Sequence, residues 1–288
     1  MSMVSPEFIW CPRNSTEFHR SRRTAWSLWL QSEKDTTVNE FELLVDLHKG
    51  AKRQGPGGDA ETEKAISLAG INRDMPLKIA DIGCGTGAST LILARLLHAK
   101  ITAIDFLPEF IDVLTARAQN DGVEDKITPL CASMKDLPFE DEEFDVIWSE
   151  GAIYNIGFGK GVADWKRYLK PDGLLIASEI TWITNSRPLE LQDHWNNEYP
   201  EIDTASAKIK ILEENGYTPI GYFVLPEHCW LDNYYEPMRT SFNAFLGRHG
   251  KSEEALAIIE AERHEIELYE KYKAYYGYGV YIARKSNA

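Results

Sequence analysis

Three glycines at alternate positions, Gly83, Gly85 and Gly87, follow directly on a short apolar run in IADIGCGTGAST, residues 79–90. Two carboxylates bracket them. Asp81 stands two positions before the first glycine, and Asp105 closes the next apolar run, ITAID, about twenty positions further on. Glycine is a poor helix former, so its repetition where a helix should begin needs a physical reason. Glycine permits unusual backbone angles and leaves main-chain N–H groups uncovered, which suits a nucleotide-like ligand lying across the loop. GCGTGA also satisfies the dinucleotide fingerprint G-x-G-x-x-G/A, so a nicotinamide-dependent oxidoreductase is one reading of this loop. Asp81 weighs against it, because a pyrophosphate is repelled by a nearby carboxylate whereas a cationic amino group is attracted.

The surrounding elements place this loop at the head of a sheet. KIADI (78–82), KITAID (100–105), KITPLC (126–131), FDVIWS (144–149) and GLLIASEI (173–180) read as strands. STLILARLLH (89–98) and PEFIDVLTARAQN (108–120) read as helices between them, and GVADWKRYLKPDG as a helix stopped by Pro171 and Gly173. Strands alternating with helices predict an α/β, doubly wound, parallel sheet covered on both faces. Ahead of it, 38–50 and 61–70 read as short helices joined by the loop AKRQGPGGD, so 1–75 is expected to be a helical cap and loop and 76–288 the core. Residues 185–215 read as two helices, an insertion over one end of the sheet. GYTPIGYFVLP (216–226) and YGYGVYIARK (276–285) are the remaining strands, with an amphipathic charged helix over 251–274.

Composition narrows the partners. The chain has 288 residues, a formal net charge of -14 and a pI near 5.0, so a nucleic acid is repelled over most of the surface. The basic cluster Arg13, Arg20, Arg22 and Arg23 reads as a solvated N-terminal arm. No run approaches the length of a membrane span, and the N-terminus lacks the apolar core of a signal peptide. Cys11, Cys84, Cys131 and Cys229 are scattered without a CxxC pair, which predicts a reduced, cytoplasmic protein with no metal site.

IADIGCGTG followed by ITAID resembles the cofactor site of class I S-adenosylmethionine-dependent methyltransferases. DLPFEDEEFDVIWSEGAIYNI and YLKPDGLLIASE resemble, more narrowly, the small-molecule group that includes the ubiquinone and menaquinone biosynthesis enzymes. The match spans about 76–180. It implies a Rossmann-like, seven-stranded, mostly parallel sheet with an antiparallel last strand, plus an α-helical insertion or lid. It implies S-adenosyl-L-methionine as cofactor and S-adenosyl-L-homocysteine as product. Residue by residue, it places Asp81 toward the cofactor's amino group, the three glycines against its backbone-facing side and Asp105 on both ribose hydroxyls. Phe106 would pack on adenine. Ser133 stands where relatives commonly carry an acid toward the adenine amine, with Met134 beside the ring. The loop KRQGPGG resembles a segment that folds over the methionine end, where Gln54 would hydrogen-bond and Arg53 meet the carboxylate. Ser149 would lie at that same end.

Methyl transfer from a sulfonium is an in-line displacement of an already activated group, so alignment and exclusion of water are the main demands. Glu150 and Tyr154, in WSEGAIYNIGF after the fourth strand, are the expected catalytic residues: Glu150 to orient an amine or hold the cofactor's own, Tyr154 to orient a nucleophile. Glu179, Trp182, His194, Trp195 and Tyr199, with Trp148, Trp230, Tyr234 and Tyr235, are candidates to line an aromatic pocket for a planar or cationic small molecule. His194 and His228 are further candidate bases. The acceptor atom stays open among N, O, S and activated C, as does monomer against homodimer. A non-catalytic member that only binds the cofactor is the remaining alternative.

Overall fold

The computed structural model describes residues 38–286, so the basic arm and everything else read from 1–37 lie outside the described residues. Two helices, α1 (Val38–His48) and α2 (Asp59–Leu68), precede the sheet. Then come β1 (Leu77–Ile82), α3 (Ala88–Leu96), β2 (Ala99–Asp105), α4 (Pro108–Asp121), β3 (Ile127–Cys131), β4 (Phe144–Ser149), α5 (Phe158–Trp165) and β5 (Leu169–Trp182). The C-terminal part holds α6 (Leu189–Glu198), β6 (Asp203–Thr204), α7 (Ala205–Glu214), β7 (Tyr217–Val224), α8 (Glu227–Trp230), α9 (Glu236–Arg248), α10 (Glu253–Tyr272) and β8 (Tyr276–Lys285).

The sheet runs β3-β2-β1-β4-β5-β8-β7, with the two-residue β6 added beside the end of β5. β1 to β5 pair parallel with one another, and β8 is antiparallel to both β5 and β7. The seven expected strands are therefore present, with one short extra pairing. Two apolar sets alternate along each strand. Ile79, Ile101, Val146 and Ile176 face one core with α3, α4, α9 and α10; Ala80, Ile104, Ile147 and Leu175 face the other with α5 and α7.

Local chemistry explains most boundaries. α4 starts on Pro108 and ends at Gly122, whose φ of 65° is left-handed. α10 is opened by Ser252, whose hydroxyl accepts from the Ala255 N–H, and buries Ala255, Ile258, Ile259, Ile266 and Tyr269 at helical spacing. Three expectations change. The helix before β5 ends at Trp165 with one 3-10 turn after it, and Leu169 already pairs with Phe144. Pro171 and Gly173 lie in β5 around Asp172, whose φ of 61° makes the bulge between the two registers. The helices of 185–215 divide between the two cores: α6 brings Leu191 and Trp195 to the first and α7 brings Leu212 to the second. Finally, 227–248, unassigned from sequence, is helical, with π-type hydrogen bonding over Leu231–Tyr235.

Sheet order also fixes where a ligand belongs. The chain leaves β1 toward β2 on one side, and β4 enters on the other, so a crevice opens at their carboxyl ends.

Candidate functional site

Asp81 pairs in register with Trp148 of β4, and Asp105 with Cys131 of β3, so the loops that follow these strands must meet. They enclose a cavity of about 360 Å³ at the head of the sheet. Its polar lining includes Arg53, Gln54, Gly83, Gly85, Asp105, Ser133, Lys135 and Glu150, and its apolar lining includes Phe106, Met134 and Tyr154. Leu107 and Asn155, which directly follow Phe106 and Tyr154 and share their expected placement, also reach it, as do Phe110 and Ile156, which carried no signal of their own in the sequence.

The glycine loop has little room for side chains. Gly83 has a φ of 77°, and a Cβ there would fall 2.2 Å from the Ala152 Cβ on the loop after β4. The Gly83 and Cys84 N–H groups donate to the Ile104 carbonyl at 2.8 and 2.9 Å, which holds the loop against β2. Gly85 N–H donates to Asp105 Oδ2 at 2.9 Å, and Leu107 N–H to Asp105 Oδ1 at 3.0 Å. Those two bonds fix the carboxylate while leaving it acceptor capacity toward the cavity. Burial raises the Asp105 pKa, opposed by the same backbone donors.

Glu150 is held by three donors. Its Oε1 accepts from Trp148 Nε1 at 3.0 Å and Thr62 Oγ1 at 2.8 Å, and its Oε2 accepts from Arg53 at 3.0 Å. A carboxylate so engaged is an orienting group and an electrostatic one. Asp81 is fully buried, accepting from Ser89 at 3.0 Å and Thr90 at 2.6 Å, and its Oδ1 has no hydrogen-bond partner among the described residues. Burial pushes its pKa up to about 7, and the charges of Glu150 and Asp105 push the same way. Two carboxyl groups on the wall and a third behind it thus outnumber the lining cations Arg53 and Lys135, an arrangement that favours a cation. Burial raises the Tyr154 pKa, with Glu265 adding to it, so the phenol stays protonated and acts as a hydrogen-bond donor or acceptor.

Several expected residues stand elsewhere or are engaged. Asp81 lies behind the glycine loop, off the cavity wall. Gly87 is also off the wall: its φ is 91°, and a Cβ would meet Leu114 Cδ1 at 2.2 Å, so its glycine serves the packing of α3 on α4. Ser149 is buried and donates to the Ile82 carbonyl at 2.8 Å, tying β4 to β1. Gln54 does not point a free amide at a ligand. Its Oε1 accepts from Thr86 N–H at 2.9 Å and its Nε2 reaches Thr86 Oγ1 and the His48 and Ala51 carbonyls. Arg117 of α4 completes that staple, donating to Thr86 Oγ1 at 2.6 Å and to the Ala51 carbonyl at 2.8 Å. Ser133 is exposed, and its hydroxyl accepts from Lys135 N–H at 3.3 Å.

The expected aromatic pocket is a packed core. Trp148, Trp182, Trp195, Tyr199, Trp230, Tyr234 and Tyr235 are all buried, and none lines the cavity. Ring area is worth more excluded from water than lining a cleft. His194, on α6, is held neutral by burial, with a pKa near 4, and is also off the wall, as is Glu179. His228 sits outside the cavity as well.

Comparison with known proteins gives a consistent picture. Residues 80–177 match the family model described as a methyltransferase domain. A protein of Haemophilus influenzae described as uncharacterized is 26% identical over 58% of this chain and 75% of its own length. The uncharacterized methyltransferase YodH of Bacillus subtilis is 32% identical over 47% of this chain, a match spanning only 56% of that relative. Among solved structures, a methyltransferase of Geobacter sulfurreducens in complex with S-adenosyl-L-homocysteine superposes with a TM-score of 0.74 at 18% identity. That alignment covers 84% of this chain and 97% of the other, and at such identity it establishes the fold.

Proposed function

We propose, on the match of residues 80–177 to a methyltransferase domain, that this chain is a class I S-adenosylmethionine-dependent methyltransferase that binds S-adenosyl-L-methionine at the head of β1, β2 and β4 and methylates a small-molecule acceptor. The observation that carries this reading is the excess of carboxylate around bare backbone. Asp105 and Glu150 on the wall and buried Asp81 behind the glycine loop outnumber the cavity's two cations, Arg53 and Lys135, and Asp81 Oδ1 lacks a partner among the described residues. A cofactor with an ammonium and a sulfonium charge matches that surplus; a pyrophosphate does not. Bound there, the cofactor supplies an electrophilic methyl group that needs no further activation.

The chain's own residues then bind, orient and exclude water. Asp105, pinned by the Gly85 and Leu107 N–H groups, is the acceptor for vicinal ribose hydroxyls. Phe106, half exposed at 51%, and Met134 offer apolar surface to adenine. Arg53, buried and 3.0 Å from Glu150, is placed to receive a carboxylate. Glu150 holds an amine, and Tyr154, protonated, orients the acceptor. The loop of Arg53 to Pro56, stapled through Gln54 and Thr86, closes one side against solvent.

The test is calorimetric titration with S-adenosyl-L-methionine, S-adenosyl-L-homocysteine and NADH, followed by labelled methyl transfer to a panel of amines, phenols and carboxylates. Binding of the first two ligands without the third supports the reading. Absence of binding by both ends it, and binding without transfer to any acceptor restricts the chain to a cofactor-binding role.

A further inference from the structure

On the outer side of the cavity wall, α2 and α8 bring together one carboxylate, one imidazole and one thiol. His228 Nε2 lies 3.3 Å from Glu61 Oε1 and 3.8 Å from Cys229 Sγ, and the ligand atoms of all three residues fall within 4.8 Å of one another. Tetrahedral zinc, with bonds of about 2.0–2.3 Å, separates its ligand atoms by roughly 3.3–3.6 Å. The set needs little adjustment to close on such an ion. Cys229 is fully buried, Glu61 keeps 12% of its side-chain surface, and its Oε2 is buried with no hydrogen-bond partner among the described residues. His228 is exposed at 48%, which leaves a route in from solvent.

We propose that Glu61, His228 and Cys229 form a binding site for a single Zn2+-type ion with one coordination position left open. Thiolate, imidazole and carboxylate together are the donor set that borderline-soft zinc accepts, whereas calcium and magnesium require oxygen ligands. The backbone around the site is already tied. Gly57 N–H donates to the Cys229 carbonyl at 3.4 Å, and Asn233 Nδ2 donates to the Gly57 carbonyl at 2.8 Å. Thr62, next to Glu61, donates to Glu150 Oε1, so the first turn of α2 serves both the metal ligands and the cavity wall. An ion here clamps the 51–58 loop and α2 onto the helical segment 227–235 and stiffens the wall that carries Arg53 and Glu150.

The experiment uses the full chain, treated with chelator and then titrated with Zn2+ and, separately, with Co2+ as a spectroscopic stand-in. Wild type should take up an equivalent of Zn2+ that His228→Ala lacks, or bind it at least about tenfold tighter than that variant. The Co2+ adduct should show a thiolate-to-metal charge-transfer band that Cys229→Ser loses, and Zn2+ should raise the melting temperature of wild type but not of His228→Ala. His228 is exposed, so its variant retains the fold; circular dichroism checks Cys229→Ser. A charge-transfer band that persists in folded Cys229→Ser overturns the proposal. So does equal Zn2+ affinity in wild type and His228→Ala, or no binding by wild type. None of these readouts involves methyl transfer, so the outcome is independent of the proposed enzymatic function.

Discussion

At the heads of β1 and β2 the chain withholds side chains, leaving backbone and carboxylates around a cavity. At the heads of β5 and β8, the same level of the molecule is filled with rings. Trp230 stacks on Tyr269 with centroids 4.3 Å apart and planes 13° from parallel, and it also touches Tyr235, Tyr276 and Tyr278. Charge follows the same division. Asp105 and Glu150 sit among donors at a cavity wall, whereas Glu179 is buried with Lys208, their charged atoms 3.9 Å apart and neither more than 1% exposed. One region is arranged to receive charge and the other to exclude water. On the proposed function, ligand affinity belongs to the first and fold stability to the second, and substitutions in each should separate the two.

The largest effect falls in the ring-filled region. Trp230→Ala leaves a cavity among stacked rings and should lower unfolding free energy by about 3–5 kcal/mol in denaturant titration. Affinity of the folded protein for S-adenosyl-L-homocysteine should stay within about twofold; a collapse of affinity would merge the two regions. Asp105→Ala should do the reverse. It removes a charged acceptor worth about 1.5–3 kcal/mol, so calorimetry should show affinity reduced by roughly ten- to a hundredfold. An unchanged affinity would move the ribose elsewhere.

Glu179 sharpens the comparison through pH. Burial raises its pKa from 4.5 to about 7, although Lys208 opposes the shift. A carboxyl whose folded pKa is raised stabilises fully below its unfolded value, and that contribution is lost as pH rises through 7. Glu179→Gln removes the titration. Its stability relative to wild type should improve by about 2–3 kcal/mol between about pH 5 and pH 8. A constant difference across that range would show that Glu179 stays ionised beside Lys208. The smallest effect is expected at the exposed Ser133. Among the described residues the Ser133 hydroxyl bonds within its own exposed turn, so Ser133→Ala should change cofactor affinity by no more than about 0.5 kcal/mol. A larger loss would assign the hydroxyl to the adenine.

Legibility in the sequence tracks the range of the interaction. The glycine loop, Asp105 and the loop after β4 were readable because each follows a strand directly, and parallel strand ends meet by topology. Gly87 and Ser149 belong to the same motifs, yet their roles are packing and strand tethering, which depend on Leu114 and Ile82 across the fold. Arg117 and Thr86, which lock the 51–58 loop, carried no signal because their partners lie far along the chain. Glu61 gave none for the same reason, since the neighbouring His228 and Cys229 meet it only through α2.

Sequence by itself determined the alternation of strands and helices, the glycine-bearing turn and the carboxylates beside it, because these rest on local backbone preference and short-range spacing. Tertiary structure decided which carboxylate faces a cavity, which is sealed behind it and which aromatic rings line nothing at all. Those outcomes depend on burial and on partners supplied by distant segments, which residue order alone does not express.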